Sequence, residues 1–204
     1  MINPTNSPYF GKDTSEWINI TNQLIEKHPL QSAETVEIVL TSWNDIFNSK
    51  IGSFYIGKDI SPILQIMSFL LHELIAHYIN LRYPDLFKVG KEKFEKDIYC
   101  ITNPDLSIEI KGSSHPSQIF GNRSYAQPQS EKGLKNKDGY YLTINFEKFD
   151  DKAQRNPEIL SIRFGYVEHI DWIAQTSATG QQARLAPSVY EHKLKILYQK
   201  AKLK

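Results

Sequence analysis

Through residues 1–83 the apolar positions follow a helical period. Trp17, Ile20, Leu24 and Ile25 recur at helical spacing after Asp13 or Thr14, either of which can cap a helix that must end before Pro29. From Ser32 a second stripe runs through Val36, Val39, Leu40, Trp43, Ile46 and Phe47 until Gly52 stops it, with Glu34, Glu37 and Asp45 on the opposite, solvated face. A third helix is predicted from Ser61 and Pro62, a cap followed by a first-turn proline, to Tyr83-Pro84. It is apolar round most of its circumference, which predicts the central buried helix.

The period then changes from helical to alternating. Residues 96–111, KDIYCITNPDLSIEIK, read as a β-hairpin with turn chemistry in Thr102-Asn103-Pro104-Asp105 and a return strand in which Ile108 and Ile110 alternate with Glu109 and Lys111. Alternation sends Ile98, Cys100, Ile108 and Ile110 into a core and Asp97, Tyr99, Glu109 and Lys111 to the other face. An odd-numbered turn, such as residues 103–105, sets residue 97 opposite 111 and 99 opposite 109, so the polar set converges; an even one breaks it up.

Residues 112–138 are short of large aliphatics and full of Ser, Gln, Asn, Arg and Lys, the composition of a functional or a solvated loop. Strand patterns resume at 139–146 and 159–167. Residues 187–204 read as a closing helix with Tyr190, Leu194, Leu197 and Ala201 on one face. Lys193, Lys195, Lys200, Lys202 and Lys204 lie elsewhere on it, solvated or able to touch phosphates. The element order predicts an α/β or α+β fold, a mixed β-sheet flanked by helices. It forms one domain: an N-terminal helical part over 1–60, a core over 61–167 and a C-terminal helical part over 168–204.

Composition narrows this picture without identifying a function. A hydrophobic fraction of 40% in 204 residues supports one globular core. A formal net charge of +1 means that a nucleic-acid partner would have to meet a local basic face. The single cysteine, Cys100, excludes an internal disulfide framework and is expected as a buried structural thiol. The longest apolar stretch, 60–81, is interrupted by Gln65, His72, Glu73 and His77, so it reads as a buried helix and not a membrane span. With no leader at its start, the chain is expected to be a soluble, reduced, cytoplasmic protein.

Two motifs carry candidate chemistry. LLHELIAHY suggests a zinc site, but His72 and His77 stand five residues apart. At about 100° per residue they diverge by about 140°, so one metal cannot take both. Glu73 in the same helix is a carboxylate among apolar residues; it either pairs with His77 or faces solvent, or it stands beside a metal site. The hairpin is the stronger candidate. Asp97 and Glu109 are hard oxygen ligands suited to Mg²⁺, and Lys111, on the same strand face as Glu109, can position the attacking water and offset phosphate charge. Asp105, in Asn-Pro-Asp, competes as the first acid, but it sits inside the predicted turn and points away from Glu109 and Lys111. If the partner is DNA, amide and guanidinium groups suit base edges, which singles out Asn122, Arg123, Gln127 and Gln129, and Gln181, Gln182 and Arg184 in TGQQARL.

Asp97 followed by Glu109-x-Lys111, preceded by a helix carrying Glu73 and followed by a polar segment and further strands, resembles the PD-(D/E)xK nuclease superfamily. The stretches EIKGSSHPSQIFGNRSYAQ, IRFGYVEHIDW and TGQQARL are most similar to type II restriction endonucleases of the ScaI type. The resemblance implies an αβββαβ core, Mg²⁺ as cofactor, metal binding by Asp97 and Glu109, water activation by Lys111 and metal support from Glu73. It further implies a homodimer cutting a palindromic site in double-stranded DNA. A PD-(D/E)xK nuclease of another role, in repair or as a toxin, and a catalytically inert DNA-binding domain are the alternatives. Lys96 stands where the superfamily pattern has proline, a departure at the residue before the first acid.

Overall fold

The computed structural model describes residues 7–127, 135–153, 155–177 and 179–201. Helix α1 spans Thr14–Lys27, with the Glu16 carboxylate accepting the N–H of Asp13 at 3.1 Å, and α2 spans Ser32–Asn48. A small hairpin, β1 (Lys50–Ile51) and β2 (Phe54–Tyr55), leads to α3 (Leu64–Arg82). Helix α3 starts later than Ser61 and Pro62 predict, because the Ser61 hydroxyl bonds Asp151 in place of capping the helix. It buries one stripe, Met67, Leu71, Ile75, Ala76 and Ile79, and leaves Ile66, Phe69 and Leu81 exposed. It is therefore amphipathic and not buried all round.

Strands β3 (Phe87–Val89), β4 (Ile98–Cys100) and β5 (Ile108–Ser113) form an antiparallel meander. The connection onward carries β6 (Phe120–Asn122) and a 3₁₀ turn over Arg123–Ala126. It returns the chain as β7 (Gly139–Phe146), parallel to β5, and β8 (Ile159–Val167) follows antiparallel. Three helices then strands, with a parallel pair at the centre, give the expected mixed sheet flanked by helices. The αβββαβ order implied a helix in the β5–β7 connection; the described residues there hold β6 and the 3₁₀ turn in its place.

The C-terminal part departs from the expected helix. Strands β9 (Trp172–Ala174) and β10 (Gln182–Leu185) join β6 in a second sheet of order β6-β10-β9, α4 covers only Pro187–His192, and β11 (Leu194–Gln199) pairs with β8. The main sheet thus reads β11-β8-β7-β5-β4-β3. The helical spacing of Tyr190, Leu194 and Leu197 is overruled by the edge of β8, whose backbone groups β11 satisfies. Gly165 permits the pairing, since a Cβ there would lie 1.9 Å from the Lys193 carbonyl oxygen.

Strand β7 is buried along its whole length because both sheet faces are covered. Tyr140, Leu142, Ile144 and Phe146 pack with Ile98, Cys100, Ile108, Ile110 and the buried stripes of α2 and α3. Tyr141 lies in a separate cluster with Ile119, Tyr125, Trp172 and Leu185. Glu109 and Lys111 alternate with Ile108 and Ile110, so the sheet itself turns them away from the helical core. No described helix is long and apolar enough to cross a membrane.

Candidate active site

The hairpin has the parity that brings the acids together, in a register two residues from the one expected. Ile98 pairs with Ile108, which places residue 97 across from residue 109. Asp97 Oδ2 accepts the backbone N–H of Ile110 at 2.7 Å, and this bond fixes the carboxylate against β5. Asp105 lies on the exposed 3₁₀ turn Pro104–Leu106, its N–H bonded to Asn103 Oδ1 at 3.1 Å.

Glu109 is 2% exposed and divides its two oxygens between different partners. Oε1 accepts from Lys111 Nζ at 2.5 Å and from the Tyr125 hydroxyl. Oε2 faces Lys135 Nζ at 3.0 Å, and the same ammonium lies 3.3 Å from Asp97 Oδ1. Burial on its own raises the Glu109 pKa, but the ammoniums of Lys111 and Lys135 and the hydrogen bonds from Lys111 and Tyr125 outweigh it and hold the carboxyl well below the usual range. The charged form of Glu109 is therefore favoured. Burial, followed by the neighbouring Glu109 carboxylate, raises the Tyr125 phenol, which keeps it a donor.

Lys111 also donates to the Ile110 carbonyl at 3.1 Å and stands 4.6 Å from the Tyr125 ring centroid. Lys137 lies over the same ring at 4.4 Å. Lys96, the residue before Asp97, is buried, with Nζ donating to the Asp138 carbonyl at 2.8 Å; burial pushes its ammonium down to about 8. Gly139, at φ 133°, makes room for it, since a Cβ there would meet Lys96 Nζ at 2.1 Å. Lys96 ties the base of β7 to the start of β4 and so serves the frame of the site.

Helix α3 presents a different residue from the one singled out. Glu73 is exposed and makes no hydrogen bond or ion pair among the described residues, so no described contact ties it to Asp97 or Glu109. His72 turns inward: its Nε2 is buried without a partner among the described residues, burial pushes the imidazole down to about 4, and Asp97, Lys111, Glu109 and Lys135 are the charges it senses. The stripe through Met67, Leu71 and Ile75 contains the reason, because one step of about 100° from Leu71 leads to His72 at its flank and two lead to Glu73 on the far side.

Asp97 Oδ1 and Glu109 Oε2 converge on one cation position, at present the Lys135 ammonium, so the donor set fits a hard divalent ion held by two carboxylates. Among the described residues no third His, Cys, Asp or Glu joins them. That suits Mg²⁺, which keeps several waters and takes substrate oxygens, better than a closed zinc site.

A cleft of about 710 Å³ runs between α3, the end of β5 and the second sheet, lined by Gln65, Ser68, His72, His115 and Gln182 among others but not by Asp97 or Glu109. It shares Phe120 and Gln182 with a shallower hollow of about 550 Å³ lined by Asn122, Gln175 and Gln181. Pairing of β6 with β10 sets Gln182 against Asn122, so two polar stretches distant in sequence form one ribbon. Asn122, Gln127, Gln181 and Gln182 are exposed and Arg184 is partly buried; Gln129 lies outside the described residues. Arg123 is partly committed elsewhere, its guanidinium donating to the carbonyls of Gly180 and Ser177 at 3.3 and 3.4 Å. Of the tail lysines, Lys193 is buried in an ion cluster and Lys200 pairs with Glu147 and Glu158, so neither is free for phosphate. Sequence reasoning passed over Tyr125, Lys135, His72 and Gln175. None of the four had a decisive local signal, and the place of His72 beside the buried stripe shows only once packing has chosen that stripe.

Residues 7–198 match the ScaI restriction endonuclease family. Over 182 residues the chain is 46% identical to the type II restriction enzyme ScaI of Streptomyces caespitosus, covering 89% of this chain and 80% of that protein. No solved structure matches the chain.

Proposed function

Because the chain belongs to the ScaI restriction endonuclease family and is a sequence-specific DNA endonuclease, we propose that it hydrolyses double-stranded DNA at Asp97, Glu109 and Lys111 with Mg²⁺ as cofactor. The observation that carries this reading is the convergence of Asp97 Oδ1 and Glu109 Oε2 on one cation position, with the Lys111 ammonium 2.5 Å from the other oxygen of Glu109. Bound there, Mg²⁺ would supply a Lewis acid for the phosphoryl oxygens and lower the pKa of water.

The chain's own residues do the rest. The Ile110 N–H holds one oxygen of Asp97, which leaves the other for the cation. Tyr125 and Lys111 occupy Glu109 Oε1, which leaves Oε2 for it. Lys111, steadied by the Ile110 carbonyl and the Tyr125 ring, offsets the charge that builds on the phosphate and orients the attacking water. The stretch where β6 pairs with β10 carries Asn122, Gln182 and Arg184, with Gln127 and Gln181 beside it, and these are the proposed base readers, since amide and guanidinium groups suit base edges in the major groove. A two-fold homodimer on a palindromic site, in the cytoplasm, completes the proposal, since isologous subunits match a two-fold sequence.

The test is digestion of a DNA of known sequence with Mg²⁺ and with EDTA. Discrete, Mg²⁺-dependent fragments with ends at one palindrome are expected. A smear favours a nuclease of repair or toxin type, and no metal-dependent cut by pure protein refutes the proposal.

A further inference from the structure

We propose that Lys135 is the resident counter-cation of the Asp97–Glu109 pair, and that a divalent metal must displace it to bind. The proposal rests on the reading that these two carboxylates hold the metal.

Asp97 Oδ1 and Glu109 Oε2 have one partner each among the described residues, and it is the same one: Lys135 Nζ, at 3.3 and 3.0 Å. A Mg²⁺ ion draws such oxygens in to about 2.0–2.1 Å, so ammonium and metal cannot share the position. Charge counting points the same way. With neither metal nor DNA, the two carboxylates are balanced by two ammoniums, Lys111 and Lys135. Adding a divalent cation and one phosphodiester balances the carboxylates, the phosphate, the metal and Lys111 among themselves. Lys135 is then surplus, and burying an unpaired charge is costly.

The backbone that delivers Lys135 is anchored just beyond it. Tyr141 donates its hydroxyl to the Lys137 carbonyl at 2.6 Å, Lys96 donates to the Asp138 carbonyl at 2.8 Å, and Asp138 Oδ1 accepts the His169 N–H at 2.6 Å. The Lys135 side chain, by contrast, is 22% exposed and has room to leave. It sits at the end of the β5–β7 connection that also carries Asn122, Arg123 and Gln127, so the stretch proposed to read bases also holds the occupant of the metal position. Lys135 is in these terms a positioning residue, acting on the reaction through the cation it excludes or admits.

Mn²⁺ titration followed by electron paramagnetic resonance, on the full chain without DNA, tests this independently of cleavage. Lys135→Gln should bind Mn²⁺ at least about tenfold more tightly than the unaltered protein, about 1.4 kcal/mol, while the charge-conserving Lys135→Arg stays within about threefold of it. Asp97→Asn should lose the binding. If Lys135→Gln fails to fold, Lys135→Met carries the same expectation. Equal or weaker binding by the neutral variants, or equal tightening by Lys135→Arg, overturns the proposal. Mn²⁺ binding that survives in Asp97→Asn overturns the underlying metal reading instead.

Discussion

Replacing Lys111 with alanine separates catalysis from structure because the contacts of this side chain among the described residues are few and specific. The substitution removes an ammonium that lies 2.5 Å from Glu109 Oε1, 3.1 Å from the Ile110 carbonyl and 4.6 Å from the Tyr125 ring. Glu109 is not left bare, since Tyr125 still donates to Oε1 and Lys135 remains 3.0 Å from Oε2. The stability cost should therefore be that of one charge-assisted hydrogen bond, about 1.5–3 kcal/mol. In a chain of this size that lowers the midpoint of thermal unfolding by roughly 3 to 12 °C. The chemical step loses its water-orienting cation, for which a drop of about 10² to 10⁴ is expected, or about 2.7 to 5.4 kcal/mol in the barrier. The assay is single-turnover cleavage of a duplex at saturating Mg²⁺, beside DNA binding measured by anisotropy in Ca²⁺. Binding should weaken by no more than about tenfold, the worth of one phosphate contact. Cleavage within tenfold of the unaltered protein, from a folded variant, would refute the role given to Lys111.

Three other outcomes follow from the same contacts. His28 is buried, with one ring nitrogen against the Leu106 carbonyl at 3.0 Å and the other accepting the Leu30 N–H at 3.1 Å, and burial pushes its imidazole from 6.5 down to about 4. The unfolded chain thus takes up its proton first, and the stability His28 contributes is intact above pH 6.5 and lost as pH falls toward about 4. Urea midpoints should drop over that window, less so in His28→Gln, and an identical pH slope in the two proteins would contradict this. Lys193, 2% exposed, holds Asp171 Oδ1 at 2.8 Å and Glu168 Oε2 at 3.0 Å, so Lys193→Met takes the ammonium from two buried carboxylates that keep only backbone donors among the described residues, at a cost of about 3–5 kcal/mol, readable by urea denaturation. A loss under about 1 kcal/mol would show that water already reaches the cluster. Gln182→Ala should weaken binding to the recognition sequence by about 10- to 100-fold and leave binding to random DNA and its salt slope unchanged. Equal loss on both DNAs would assign Gln182 to the phosphate backbone.

Local pattern was enough to determine the polar face of the hairpin. Strand alternation has a period of two, so Glu109 and Lys111 had to share a side and Ile108 and Ile110 had to take the other, whatever the sheet around them. The same holds for the stripes of α1 and α2, but α2 ends at Asn48, ahead of the Gly52 expected to stop it, which instead turns the β1–β2 hairpin. Tertiary structure decided what depends on a partner distant in the chain. The register of β4 on β5 came out two residues from the expected one, and only the fold brings Tyr125 and Lys135 onto Glu109. In α3 an excess of apolar residues hid which stripe would be buried, and packing chose the one that turns His72 toward the acids and Glu73 toward water. In the tail, residues whose spacing suits a helix became β11, because an open edge on β8 leaves more backbone groups unsatisfied than helical propensity returns. A pattern in sequence reports the period of an element; which side of that element meets a charge, and whether an edge waits for a strand, are settled only when the chain closes on itself.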